Sequence, residues 1–213
     1  MSRAYDYVFL TLRRAAAAHR TLAKQLRDGV GPALAAGGGE ILGQFAPQLG
    51  WAADEAAVLV RWPDAVRRAD AGAPLADAVL AGAAIVSQAR PEPLRATLRP
   101  SDRDVLGAGG VHVHRWFEIG AADEEEFIAL SRQGWADFEA RFDAAIFGLF
   151  RAEPSERDLA RGEARLLLVT RYGDHGVWEA SRDPATEAMR VFARRQQLTR
   201  RTWAASTRLV ATP

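Results

Sequence analysis

Ile41-Leu42-Gly43-Gln44-Phe45 and Ile146-Phe147-Gly148-Leu149-Phe150 share the pattern Ile-x-Gly-x-Phe and start 105 residues apart (41 to 146). Each is followed by an apolar run that ends in Arg-aromatic-x-Asp, at Arg61-Trp62-Pro63-Asp64 and at Arg171-Tyr172-Gly173-Asp174, 110 residues apart (61 to 171). The longer second spacing indicates a longer loop in the second half. Two units are too few for a solenoid, so the sequence predicts that one compact subdomain is duplicated.

The composition excludes several classes of protein. The chain has 213 residues, a net charge of +1 and no cysteine, so we expect no nucleic-acid partner, no disulfide and no cysteine-bound metal or iron–sulfur cluster. Lys24 is the only lysine, and the many arginines and alanines suit a GC-rich bacterial genome. No stretch is long and apolar enough for a membrane span and no signal peptide is evident, so we expect a cytoplasmic protein without a membrane partner.

The first half shows alternating strand and helix patterns. Residues 5–13 alternate as a strand does, and residues 15–36 carry Leu22, Leu26, Val30 and Leu34 at helical spacing. Gly29 and Pro32 predict a kink in that helix, because proline cannot donate to the preceding turn. Further strands are predicted at residues 40–45, 55–62 and 94–98, with a second helix at 75–88 and a glycine exit at 37–39.

The second half repeats this order. Strands are predicted at residues 110–119, 145–151, 164–172 and 203–210, with helices from residue 123 and over 187–201, and a polar loop at 154–162. The acidic start at Asp123 complements the positive end of a helix dipole. Residues 99–110 form the predicted linker, which places the two repeats at 1–100 and 108–213.

A β-α-β-β-α-β unit is the ferredoxin-like arrangement, in which two helices cover one face of a four-stranded antiparallel sheet. The other face of each sheet is left bare, and two units can bury these faces against each other. The predicted fold is therefore α+β, with two tandem ferredoxin-like repeats packed sheet to sheet as a dimeric α/β-barrel-type unit.

Several short motifs resemble the NIPSNAP family of the dimeric α/β-barrel superfamily. In the first half they are residues 38–45, Leu49-Gly50-Trp51 and residues 58–64; in the second they are residues 113–118 and 177–182. The resemblance implies this fold and a ligand site inside the barrel. Gln44 and Trp51 depart from the animal members, so no trafficking or mitochondrial role is carried over.

The predicted strand at residues 110–119 has two distinct faces, because side chains alternate along a strand. Its odd positions are mostly apolar and should pack under the helices. Its even positions should then look into the barrel, where the resemblance implies ligand binding. They are His112, His114, Trp116 and Glu118.

Three interpretations of the paired histidines stay open. His112 and His114 have the spacing of two metal ligands on one face, with Glu118 as a third, although His-x-His on a strand is a weak motif. They could instead act as general acid and base beside Trp116 in an enzyme without a cofactor. The third interpretation is structural, with both rings hydrogen-bonded at the sheet. We predict a catalytic role for His114 and His112, no metal and no cofactor.

Aromatic and cationic residues complete the predicted ligand site. Tyr7 and Phe9 share one face of the first strand, and aromatic walls suit a planar ligand. Arg61 and Arg171 occupy matching places and could bind an anion, although ion pairs with Asp64 and Asp174 at the strand ends are the structural alternative. The basic run from Arg190 to Arg201 is interpreted as an exposed helix face.

Two functions from different classes follow. The first is a protein that binds a small apolar or aromatic molecule in the barrel cavity, or transforms it without a cofactor as a monooxygenase or isomerase would. The alternative is a non-enzymatic interaction or scaffold protein that uses its helical exterior. A homodimer is compatible with either. An open pocket that holds a histidine would favour the first.

Overall fold

The computed structural model describes residues 3–13, 18–101 and 104–210, with only the backbone of 71–74. The chain divides into two compact units, residues 1–95 with 207–213, and residues 96–206. The predicted repeat bounds of 1–100 and 108–213 stay a prediction. The start of the first predicted helix, at residues 15–17, lies outside the described residues.

The first unit has the order β-α-β-β-α-β. Its elements are β1 (Ala4–Leu12), α1 (Ala18–Gln25), a π-helical turn (Leu26–Val30), α2 (Gly31–Ala36), β2 (Glu40–Leu49), β3 (Glu55–Trp62), α3 (Ala65–Gly82) and β4 (Val86–Ala96). The kink predicted around Gly29 and Pro32 is present as the π-helical turn between α1 and α2.

The second unit has the same order with two extra short helices. Its elements are β5 (Val111–Gly120), a 3-10 turn (Ala121–Asp123), α4 (Glu124–Arg141), β6 (Ala144–Ala152), α5 (Glu156–Arg161), β7 (Glu163–Tyr172), α6 (His175–Ala180), α7 (Glu187–Gln197) and β8 (Thr199–Val210). The last residues of β8, from Thr207, belong to the first unit.

Strand order is the same in both units. The strands run β4-β1-β3-β2 in the first and β8-β5-β7-β6 in the second, and the pairs β1–β3, β1–β4, β2–β3, β5–β7 and β6–β7 are antiparallel. This is the ferredoxin-like order, so the predicted α+β class and the tandem β-α-β-β-α-β pattern are confirmed.

The repeated Ile-x-Gly-x-Phe motif forms the same bulge in both units. On β2 the register shifts between Ile41 and Gly43, and on β6 it shifts between Ile146 and Gly148. A bulge inserts one unpaired residue and bends the strand. A Cβ on Gly148 would lie 2.6 Å from Cδ of Pro100 and 2.8 Å from the Phe150 ring, so the close packing in the second unit requires glycine at this position.

The repeated Arg-aromatic-x-Asp motif starts a helix in both units. Asp64 accepts a hydrogen bond from the backbone of Arg67 at the start of α3, and Asp174 accepts one from Val177 at the start of α6, each at 2.8 Å. The aspartates are therefore N-caps, which satisfy a donor that the helix leaves open.

We expect Asp64→Ala to lower the free energy of unfolding by about 1 kcal/mol, because it removes the cap of α3. Urea titration followed by circular dichroism would measure the loss. Asp64→Ser is the matched control, since serine is an equally good N-cap and should retain most of the stability. An equal loss in both variants would show that the cap does not account for the effect.

Three predicted elements were placed wrongly. The second helix begins at Ala65 rather than residue 75, because the Asp64 cap starts it there. β4 starts at Val86, inside the range predicted as helix, and extends through Pro91 and Pro93. The loop predicted at 154–162 contains α5, which Ser155 and Asp158 begin with a capping box.

The apolar core of each unit lies on the helix-covered face of its sheet. In the first unit it includes Val8 and Leu10 of β1, and in the second it includes Val113 and Phe117 of β5 together with Phe127 of α4. The odd positions of β5 thus pack under the helices as predicted. Within the described part of the chain, no helix has the length and apolar character needed to cross a membrane.

Candidate functional site

Strand β5 gathers four predicted site residues on the face opposite its helices. His112, His114, Trp116 and Glu118 are all buried. His112 Nε2 lies 3.0 Å from the carbonyl oxygen of Gly107, which supports the structural interpretation of that ring. Trp116 stacks on Trp203 with the ring centroids 6.2 Å apart.

The environment of His114 disfavours its charged form. Burial, with a further contribution from His112, lowers the pKa of His114 to about 3. The ring is therefore neutral at pH 7 and lacks the acidic proton of an imidazolium, and a group with so low a pKa is a weak general base. The catalytic assignment of His112 and His114 stays a prediction. No cluster of three or more histidine, aspartate or glutamate side chains suited to a metal ion occurs among the residues with described positions.

Tyr7 and Phe9 lie in the first unit, on the face of β1 opposite its helices. Their ring centroids are 4.8 Å apart in an edge-to-face contact. The guanidinium of Arg90 lies 4.2 Å from the centre of the Phe9 ring. Burial raises the pKa of Tyr7 well above its ordinary value, so its phenol is neutral.

Arg61 and Arg171 each form an ion pair with an acidic residue on, or directly before, the neighbouring strand. Arg61 bonds Glu40 of β2, and Arg171 bonds Asp143 immediately before β6, with nitrogen–oxygen distances of 2.5 Å. The structural alternative that named Asp64 and Asp174 as their partners was wrong, because these aspartates cap helices. The assignment of the two arginines to a ligand stays a prediction.

A cavity of about 290 Å³ lies within the second unit, between the helix-side face of its sheet and helices α4 and α7. It is lined by residues of β5, β6, β7, both helices and the segment before α7. The lining residues are Arg115, Phe117, Trp135, Phe138, Ile146, Leu168, Thr170, Tyr172, Ser181, Arg182, Pro184, Met189, Phe192, Ala193, Arg195 and Gln196.

Aromatic rings form one wall of this cavity. Phe138 contacts Tyr172 and Phe192 edge to face, with ring centroids 6.0 Å apart in both pairs. The buried Nε1 of Trp135 has no hydrogen-bond partner among the described residues. Burial raises the pKa of Tyr172, so its hydroxyl is a neutral hydrogen-bonding group. The wall suits a flat apolar ligand with at least one polar group.

Two cationic residues of the cavity were missed or misjudged from the sequence. Arg115 occupies an odd position of β5 that was grouped with an apolar face. Arg195 was placed on an exposed helix face, but it is only 8% exposed and lies over the rings of Phe117 and Phe192. The sequence did contain one indication of this cavity, because Arg115 is the single charged residue among the otherwise apolar odd positions of β5.

Strand register identifies the position that matches Arg115 in the first unit. Arg61 pairs with Tyr5 and Arg171 pairs with His112, so the repeated motifs align these positions. Three residues further along β1 and β5, Val8 then corresponds to Arg115. Val8 is completely buried in the apolar core. The second unit thus has a charged cavity wall where the first has core.

Comparisons with solved structures place the chain in a known fold. No protein-family model matches the chain, and a search of curated proteins finds no match either. A candidate monooxygenase from Fusobacterium nucleatum is 10% identical, with 99% of this chain and 93% of that chain covered and a TM-score of 0.65. A ferredoxin-fold protein from Listeria monocytogenes, related to antibiotic biosynthesis monooxygenases, is 8% identical, with coverage of 99% and 96% and a TM-score of 0.51.

A third similar structure is a heme-binding protein from Thermus thermophilus, 11% identical, with coverage of 99% and 92% and a TM-score of 0.54. At these identities the likeness shows the ferredoxin-like fold and nothing about the function. Haem iron needs histidine, cysteinate, methionine beside histidine, or tyrosinate as a ligand. The described cavity lining has no histidine, the chain has no cysteine, and the ring of Tyr172 packs edge to face against Phe138. The cavity therefore does not fit haem.

Proposed function

We propose that this protein binds a small, largely apolar or aromatic molecule in the helix-side cavity of its second unit. The observation that carries the proposal is the partly open cavity of about 290 Å³ with an aromatic wall. Its volume is near the lower end for small-molecule sites. The names of the similar structures, a candidate monooxygenase and a heme-binding protein, agree with a small-molecule ligand.

A cavity in the first unit is a weaker candidate for this site. It has about 310 Å³ and lies between β2 and helices α1 and α2. Its walls are mainly small aliphatic residues, with Arg27 and Glu40 supplying opposite charges. No aromatic ring lines it among the residues with described side chains, so it offers less to a planar ligand.

The titratable groups of the cavity favour binding over acid–base catalysis. Tyr172 has a raised pKa and the three arginines are cationic at neutral pH. Neither Tyr172 nor Arg195 changes its charge near pH 7, where an efficient general acid or base must titrate. Their chemistry is to hold and orient a ligand. A binding function is therefore proposed ahead of cofactor-free catalysis.

The family, the location, the oligomeric state and the site residues predicted from the sequence are also proposals. Membership of the NIPSNAP family rests on the short motifs alone, and a cytoplasmic location rests on the sequence. A homodimer is a further prediction, and a ligand role for His114 and Trp116, on the face of β5 opposite this cavity, is a separate one. The scaffold function stays the alternative.

We expect the purified protein to bind naphthalene-2-carboxylate or its neutral amide, naphthalene-2-carboxamide, at the cavity. Titration followed by tryptophan fluorescence and by NMR shifts of Trp135 would detect either probe. Ala193→Phe should weaken binding at least tenfold, because Ala193 lines the cavity and a larger ring would fill its entrance. Gln133→Phe is the matched control, since Gln133 is exposed on α4 outside the lining.

Native mass spectrometry of the freshly purified chain is an independent measurement. A retained small organic molecule that Ala193→Phe loses would support the proposal. Failure of both naphthalene probes to bind, together with equal behaviour of the Ala193 and Gln133 variants, would contradict it.

A further inference from the structure

The cavity of the second unit contains three arginines and no acidic side chain. Arg115 comes from β5, Arg182 from the segment after α6 and Arg195 from α7. None of the three forms an ion pair with a described acidic residue, although most other arginines of the described chain do so. The cavity wall is therefore strongly positive.

Arg195 is the most deeply placed of these cations. Its Nη1 donates to the hydroxyl of Ser131 at 3.1 Å, and its guanidinium lies 4.3 Å from the centre of the Phe192 ring. These contacts supply hydrogen bonding and cation–π attraction without a counter-charge. Burial, with a further contribution from Arg115, lowers the pKa of Arg195 to about 9. It remains charged at neutral pH.

Arg115 and Arg182 add to the same positive potential. Burial, and then the nearby charge of Arg182, lower the pKa of Arg115. Arg182 is exposed, and its guanidinium lies 4.8 Å from the centre of the Trp178 ring. An exposed cation at the edge of a positive cavity attracts anions from solution.

Like charges gathered in a partly dry space are costly unless an opposite charge enters. The structure supplies ring contacts and neutral hydroxyls there, but no carboxylate. An anionic ligand would neutralise the arginines, and a carboxylate matches the planar fork of a guanidinium. The aromatic wall would cover the apolar part of the same ligand.

We propose that the cavity of the second unit recognises small aromatic carboxylates, with the carboxylate bound by Arg115 and Arg195 and the ring packed against Phe138, Phe192 and Trp135. This inference rests on the proposed function and names its ligand class. Arg182 acts at the entrance and draws the anion in.

Isothermal titration of the whole protein with matched probes tests the charge preference without any mutation. Naphthalene-2-carboxylate should bind at least tenfold more tightly than naphthalene-2-carboxamide, because the two share their rings and differ in charge. Acetate should bind far more weakly than the naphthoate, since it lacks the ring. A rise in ionic strength should weaken the naphthoate more than the amide.

Two arginine variants test the assigned residues. Arg115→Met and Arg195→Met should each reduce naphthoate affinity about 10- to 100-fold and leave amide affinity within about threefold. Arg190→Met is the matched control, because Arg190 is exposed on α7, pairs with Glu187 and lies outside the lining. Circular dichroism and thermal melts would establish that each variant is folded. If Arg195→Met does not fold, Arg115→Met alone tests the assignment of the arginines.

The outcomes separate this inference from the proposed function. Binding of the amide as tightly as the naphthoate would overturn the charge preference while the cavity function stands. Equal loss in the Arg190 and Arg195 variants would overturn the assignment of the arginines. Binding of neither probe would contradict the proposed function itself.

Discussion

Acidification from pH 7.5 to pH 5 is expected to lower the free energy of unfolding by about 2 kcal/mol through His114 alone. The folded protein holds this ring neutral with a pKa of about 3, against 6.5 as the ordinary value. The depressed pKa means that the stabilisation is complete above pH 6.5 and is lost progressively as the pH falls towards 3. The lowered pKa values of His112 and His19 act in the same direction.

Urea titrations at several pH values would measure this slope, and NMR titration of the His114 ring would report its charge directly. His114→Gln should flatten the dependence between pH 7 and pH 5, because glutamine does not titrate. His175→Gln is the control for the loss of one imidazole, here at the half-buried start of α6. A His114 ring that gains its proton near pH 6.5 would contradict the expectation.

Gly29→Ala is expected to lower the free energy of unfolding by about 3 kcal/mol. Gly29 lies in the π-helical turn of the first unit, where a Cβ would meet the backbone carbonyl oxygen of Gly82 at 2.2 Å. That oxygen belongs to the last residue of α3 and cannot rotate away as a side chain would. The added methyl group must therefore separate the two elements.

Gly31→Ala is the matched control for this effect and should change the free energy of unfolding much less. The nearest atom to a Cβ on Gly31 is the Leu26 carbonyl oxygen at 3.5 Å, an ordinary contact. Alanine favours a helix over glycine by about 1 kcal/mol. Gly31 also precedes Pro32 in helical backbone, where a Cβ is disfavoured. The two effects oppose each other, so this variant should stay within about 1 kcal/mol of the original protein. Chemical denaturation of both variants would measure the difference. Similar losses at the two positions would show that the contact with Gly82 does not account for the result.

Local periodicity was enough to predict the two faces of β5. A period of two separated His112, His114, Trp116 and Glu118 from the apolar positions, and burial of both sets agrees with a sheet covered on its odd face. The repeated motifs were also sufficient for the order of elements. Their causes, a bulge at Gly43 and Gly148 and a helix cap at the following aspartates, required the strand register and the hydrogen bonds.

The bounds of α3 and β4, at the end of the first unit, could not be predicted from the sequence pattern. The alanine-rich stretch 65–88 offers no clear stop, because alanine suits a helix wherever the chain allows one. Pro91 and Pro93 also argue against a strand, yet β4 continues through both. Proline is compatible with strand positions whose amide is not needed for pairing. Only the pairing of β4 with its neighbouring strand shows which positions do not need an amide hydrogen.

The cavity could not be predicted for a different reason. Arg115, Arg182 and Arg195 are separated along the chain and look like ordinary solvated arginines when each is judged alone. Packing of α7 over the sheet brings them to one wall, and the missing acidic partner is visible only there. The sequence shows charges but does not show which charges are left without a partner inside the fold.

The unbalanced charge on Arg195 has a consequence for the motion of α7. A helix held over a cavity by ring contacts has a smaller free-energy cost of local opening than one packed on a filled core. Amide hydrogens of α7 should therefore exchange with solvent deuterium sooner than those of β5 and β7, whose strands pair along their full length. A bound anion would slow the exchange of α7, so ligand occupancy would be visible as a change in protection of this one helix.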